Sequence, residues 1–133
     1  MTQAFTGWGL TLQTDALARI ALFLQGGRVI DGEDWLDDAM LASAPQQNPD
    51  DHGLPAIDET LRYRAGFWAY NAGTYLGCGH DVWIPSMSGY GGLSVALIPN
   101  GHVYFYISDG REFAWRRAIA QSFAIQPFCE AAP

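Results

Sequence analysis

The chain has 133 residues, of which 49% are hydrophobic, and carries a formal net charge of −7. That length predicts one domain that buries roughly two-thirds of its unfolded surface, and the negative charge argues against a nucleic-acid backbone or an anionic membrane as partner. No apolar run approaches the roughly 20 residues of a membrane span, and the stretch from Met1 to Gly9 lacks the basic-then-apolar layout of a signal peptide.

Residues 1–42 read as a helical segment. Thr14 is the predicted N-cap, with Asp15 at the positive end of the helix dipole. Leu17, Ile20, Ala21 and Leu24 make one apolar stripe, and Gly26-Gly27 ends the helix. A second helix is predicted over Glu33 to Ala42, with Trp35, Leu36, Ala39 and Met40 as its apolar positions. Residues 43–61, with Pro45, Pro49 and Pro55 among acids and turn formers, read as a surface loop.

Residues 62–110 read as antiparallel strands. Arg62 to Tyr70 alternates with period 2 and is taken as one strand. Asn71 to Asp81 is a glycine-rich connection. In the next strand, Pro85 implies an edge position or an interrupted ladder. Leu93 to Ile98 and His102 to Ser108 are predicted to pair across Asn100-Gly101, a type I′ hairpin signal. Residues 111–123 form a last helix with Trp115, Ala118, Ile119 and Ser122 on one face. The expectation is a single α+β domain, an antiparallel sheet of three to four strands with helices packed on it.

One absence and one pair bound the chemistry. All seven cationic side chains are arginines (Arg19, Arg28, Arg62, Arg64, Arg111, Arg116 and Arg117), so the chain has no lysine. A guanidinium stays protonated at any working pH, so none can act as a general base. Cys78 and Cys129 fit either one disulfide or two reduced thiols, and compartment stays open.

Three stretches in this order resemble the penicillin-binding-protein-like serine hydrolases, which include class C β-lactamases and related esterases. They are Gly7 to Met40, with its helix ending on Gly26-Gly27; Trp83 to Gly110, similar to the family's last sheet strands; and Arg111 to Phe123, similar to its C-terminal helix. The resemblance covers nearly the whole chain but only the C-terminal half of the family's domain. The family's third signature motif, Lys/His-Thr/Ser-Gly, falls on Met87-Ser88-Gly89. By resemblance, Ser88 offers a hydrogen bond to substrate and the backbone N–H of Tyr90 donates to a developing oxyanion. Gly89, Gly91 and Gly92 leave room for a carbonyl to approach the backbone. Met87 stands where a cation would hold a substrate carboxylate, which implies ester- or amide-type substrates without an acidic group; a completed enzyme of this family would take an ester, amide or lactam.

The family's nucleophile lies in Ser-x-x-Lys, which cannot occur without lysine, and Tyr70-Asn71 has the wrong spacing for the second motif. The resemblance therefore implies a substrate and oxyanion wall at Met87, Ser88, Gly89, Tyr90, Gly91 and Gly92, no catalytic residue in this chain, no metal and no cofactor. Activity would need a complementing N-terminal half. A periplasmic or secreted setting is also implied. The family's sheet takes strands from its N-terminal part, so unpaired edges and one uncovered face are expected. The alternative is a non-catalytic binding or assembly module that self-associates through a sheet edge, as a homo-oligomer.

Simpler readings stand beside these. Ser88 to Gly92 is equally a tight start to a strand, and Ser88 lacks the Gly-x-Ser-x-Gly elbow of an autonomous nucleophile. Cys78 and His80 supply at most two metal ligands, fewer than zinc takes from protein. Asp58 and Glu59 are a candidate acid–base pair or a solvated turn. The five tryptophans are core anchors, with Trp68 and Trp83 as candidates to edge a cleft.

Overall fold

The computed structural model describes residues 13–27, 29–30, 33–34, 39, 50–89, 93–107 and 115–129. Helix α1 spans Thr14–Leu22, and its N-cap is Gln13, extended at φ −72 and ψ 151, without a side-chain cap bond. Thr14 is thus the first helical residue and not the cap. The helix widens into a π turn at Phe23–Gly27, where Gly26 sits at φ 135, a conformation open to glycine. Ala21 is buried, with Leu17 and Leu24 packed beside it.

The predicted second helix is corrected at its start. Val29–Ile30 (β1) and Glu33–Asp34 (β2) pair antiparallel, with Ile30 opposite Glu33. The two residues between them are Asp31-Gly32, a strong hairpin sequence that outweighs the helical spacing of Trp35 and Leu36. Ala39 is helical. The rest of that prediction lies outside the described residues.

The sheet has six strands in the order β3-β4-β5-β6-β7-β8, an antiparallel meander, not three to four. They are β3 (Leu54–Pro55), β4 (Leu61–Arg64), β5 (Phe67–Asn71), β6 (Trp83–Gly89), β7 (Leu93–Leu97) and β8 (Val103–Ile107). One added strand lies inside the expected loop: Leu54 pairs with Tyr63 and Pro55 with Arg62. Proline is tolerated there because β3 is an edge. Gly53, at φ +91, leads into it; a Cβ at that position would lie 2.5 Å from the Tyr63 carbonyl oxygen.

The other added strand comes from splitting Arg62 to Tyr70. Ala65 and Gly66 both take positive φ, 49 and 88, and Arg64 lies opposite Phe67. A two-residue turn reverses the chain inside a run whose alternation reads as continuous. Helix α2 (Gly73–Leu76) occupies the glycine-rich connection and ends on Gly77 in the left-handed region at φ 74.

For Pro85 the outcome is the interrupted ladder. Strand β6 is interior, with Pro85 opposite Ala69 of β5, while its pairing with β7 runs from Ser86 to Gly89. The β7–β8 hairpin forms as predicted, but its turn is not type I′. Gly101 N–H donates to Ile98 O at 3.0 Å and Ile98 N–H to His102 O at 2.9 Å. Gly101 has φ 85, and Ala65 is the one non-glycine with positive φ among the described residues. A type I turn followed by a left-handed glycine is the three-residue alternative.

Both faces of the sheet carry a helix, against the expectation of one uncovered face. On one face Tyr70, Ile84, Ala96 and Ile98 pack with Ile119 of helix α3 (Trp115–Ile125). On the other, Phe67, Val95 and Leu97 pack with Ala21 of α1, joined by Met87, Val103 and Phe105. A disulfide joins Cys78, just after α2, to Cys129, just after α3, with Cα atoms 5.1 Å apart. It settles the choice between paired and free thiols.

Candidate functional site

Residues on opposed strands share a face, so the register places the Met87-Ser88-Gly89 motif. Met87 lies opposite Val95, and its half-buried side chain belongs to the cluster under α1. It is a packing residue here. A lysine or histidine in its place would point into that apolar cluster, and methionine fills it without desolvating a charge. Ser88 lies opposite Ser94 on the α3 face and is exposed, as is Gly89. Tyr90, Gly91 and Gly92 lie outside the described residues.

The wall around Ser88 is built of hydroxyls and rings. One cross-strand row holds Ser88, Ser94 and Tyr106; the next holds Tyr63, Trp68, Ser86, Ala96 and Tyr104. The Tyr63 and Trp68 rings are tilted together with centroids 4.9 Å apart. Burial, followed by the neighbouring Tyr106, raises the Tyr104 pKa. No lysine, histidine or carboxylate stands in either row. The arrangement can orient a carbonyl or hydroxyl compound by hydrogen bonding and stacking. It cannot take a proton from Ser88.

The edge of β6 beside this row is open. The β5 ladder reaches β6 only from Trp83 to Ser86, while Met87 to Gly89 are paired with β7 alone among the described residues. Gly89 has no positive φ. A Cβ there would meet only Leu93, at 3.4 Å. Neither backbone strain nor crowding demands glycine at this position.

The remaining candidates separate from the wall. Trp83 is three residues from Ser86 and so lies on the opposite face from Trp68. Its ring stacks on His52 at 4.8 Å, and the Arg62 guanidinium sits 5.3 Å from its centroid. The two tryptophans do not edge one cleft. Asp58 accepts from the Thr60 hydroxyl at 2.6 Å and the Thr60 N–H at 2.8 Å. These bonds hold its carboxyl below the ordinary aspartate range, which suits a turn and not a proton shuttle. Cys78 is consumed by the disulfide and His80 is exposed. Among the described residues no three His, Cys, Asp or Glu side chains converge for a metal.

Two asparagines that sequence reasoning passed over are organisers. Asn71 Oδ1 accepts from the N–H groups of Gly73 (3.0 Å) and Val82 (3.2 Å), and its Nδ2 donates to Asp81 at 2.6 Å. It closes the connection around α2. Asn100 Nδ2 donates to Ser122 Oγ (2.8 Å) and to the carbonyl of Gln126 (2.9 Å), and Oδ1 accepts from His102 N–H at 3.2 Å. His102 Nδ1 lies 2.7 Å from Ser122 Oγ. This serine–histidine contact is part-buried helix docking, and Tyr106 lies four positions further along the strand, about 13 Å away.

Comparison with family models, with curated proteins and with solved structures gives no match for this chain.

Proposed function

We propose that this chain is the substrate-facing wall of a serine acyl-hydrolase of the penicillin-recognising type, the C-terminal portion that shapes the site without attacking. The observation that carries the reading is the open, glycine-containing end of β6. An exposed Ser88 hydroxyl and a strand edge that is unpaired among the described residues stand together where the sequence resembles the family's third motif. Because the fold does not require glycine at Gly89, close approach of a ligand carbonyl is a reason for it. The amide of Tyr90 is the proposed oxyanion donor, in the glycine-flanked stretch through Gly91 and Gly92. The nucleophile and its lysine come from a complementing half, and the substrate is an ester, amide or lactam. The Cys78–Cys129 disulfide supports an oxidising setting, periplasmic or extracellular.

The Met87 side chain turns into the α1 cluster, so the chain presents no cation at the motif.

The test is an NMR titration of the chain with a short-chain amide and a short-chain ester, run beside a fluorophosphonate probe. Shifts at the amides of Ser88, Gly89 and Tyr90, abolished by Gly89→Val, are expected, with no covalent adduct. Shifts centred on β3 and β4, or an adduct on the pure chain, would overturn it.

A second reading, a self-associating assembly module, is favoured by a different observation. With a helix already on each face, the sheet has its edges left to share.

A further inference from the structure

The outermost strand β8 reads Val103-Tyr104-Phe105-Tyr106-Ile107, five residues without a charge, proline or glycine. Natural edges are commonly blunted by such residues or by bulges. Among the described residues β8 is last in the sheet order, with β7 as its one neighbour. The opposite edge, by contrast, is a two-residue strand that includes Pro55.

The direction of the groups that β7 leaves over follows from the hairpin. Ile98 N–H donates to His102 O at 2.9 Å, which sets the alternation of an antiparallel ladder. Ala96 and Tyr104, then Ser94 and Tyr106, exchange bonds across β7 and β8. The N–H and C=O groups of Val103, Phe105 and Ile107 therefore point outward, away from β7.

We propose that β8 is the docking edge for a second copy of this chain, paired antiparallel to its own β8 about a two-fold axis at Phe105. The strand is close to a palindrome. Self-pairing sets Val103 against Ile107, Tyr104 against Tyr106, and Phe105 against Phe105 of the second copy. A two-fold interface requires this self-complementarity. Every outward N–H then meets an outward C=O, and cross-strand pairs are apolar on the α1 face and tyrosine on the α3 face. Ile107, 51% exposed, and Leu93 opposite it, 45% exposed, extend one row through Val103 and Leu97 of the second copy. The strand itself carries no charge, so no like charges oppose each other across the self-paired ladder. Two six-stranded sheets become one of twelve.

This rests on the assembly reading, not on acyl transfer. Sedimentation equilibrium and native mass spectrometry of the full chain across a hundredfold range of concentration give the first result: a species of about twice 14.6 kDa is expected. The Ile107→Pro variant removes one outward N–H and leaves the β7 ladder bonds intact. It should sediment at the mass of one chain with an unchanged circular-dichroism spectrum. In the unaltered chain, the amides of Phe105 and Ile107 should gain hydrogen-exchange protection as concentration rises, while those of Tyr104 and Tyr106 stay protected throughout. A single-chain mass at every concentration would sink both the assembly reading and this edge. A dimer that survives Ile107→Pro, or protection of Phe105 and Ile107 independent of concentration, would sink the edge alone.

Discussion

Breaking the Cys78–Cys129 disulfide should cost this protein a large part of its stability. The bridge closes a loop with a sequence separation of 51. In the chain-entropy account, freeing a loop of that size returns roughly 14 cal/mol/K to the denatured chain, about 4 kcal/mol at 25 °C. Small domains are stable by only about 5–15 kcal/mol, so the loss is of the same order as the total. Within the loop lie β6, β7, β8 and α3, so the constraint shortens the search that brings Ile119 onto Ile84 and Ile98. The assay is urea unfolding of the oxidised chain, of the same chain in dithiothreitol, and of the double variant Cys78→Ser, Cys129→Ser. With a urea slope of about 2 kcal/mol/M, the midpoint should fall by about 2 M in both reduced forms. A fall below about 0.5 M, with an unchanged slope, would refute the reasoning: the bridge would then tie together two ends already held by packing in the denatured chain.

Gly73→Ala should destabilise by more than about 2 kcal/mol, because its Cβ would overlap the His80 carbonyl oxygen. Gly79→Ala, strained at φ +74 but unobstructed, should cost only about 1 kcal/mol; thermal melts of the two would rank them, and the reverse order would be fatal to this account. Asn100→Ala should lose about 1–3 kcal/mol by stripping donors from the end of α3. Asn100→Asp should be worse, since a carboxylate there faces helix carbonyls, and urea midpoints would show whether the order holds. For Asp58 the sign is that of a depressed acid: its hydrogen bonds to Thr60 are present above the usual aspartate pKa and lost as pH falls through the lower folded value. The Thr60 amide shift should titrate with a midpoint below about 3.9, and a midpoint at or above that value would contradict the turn geometry.

Much of the fold was legible because the signals were local. The stripe of Leu17, Ala21 and Leu24 (though not Ile20, which is exposed), the reversal near Asn100-Gly101 and the terminal helix all lie within a few residues of the features that announce them. The strand count was not legible, for two physical reasons. A two-residue turn at Ala65-Gly66 leaves the alternation of Arg62 to Tyr70 looking unbroken, although Tyr63 and Trp68 in fact share a face. Leu54-Pro55 forms a strand because an edge tolerates proline, and that depends on a partner, Tyr63 and Arg62, that no local window contains. The Glu33 prediction failed because a hairpin sequence at Asp31-Gly32 competed with helical spacing. At the candidate site, a strand through Met87 and Ser88 was legible, but strand parity was needed to see that Met87 turns into the α1 cluster while Ser88 faces out. The roles of Asn71 and Asn100 depend on partners up to 26 residues away, beyond what turn propensity encodes.

Strand β6 changes partners midway, held by β5 up to Ser86 and by β7 from Ser86 onward. Its tip is therefore a cantilever whose anchor is the β7–β8 hairpin, itself moored to α3 through Asn100. Fraying of β3, β4 and β5 would leave the Ser88 tip in place, whereas loosening the mooring at Asn100 would tilt it.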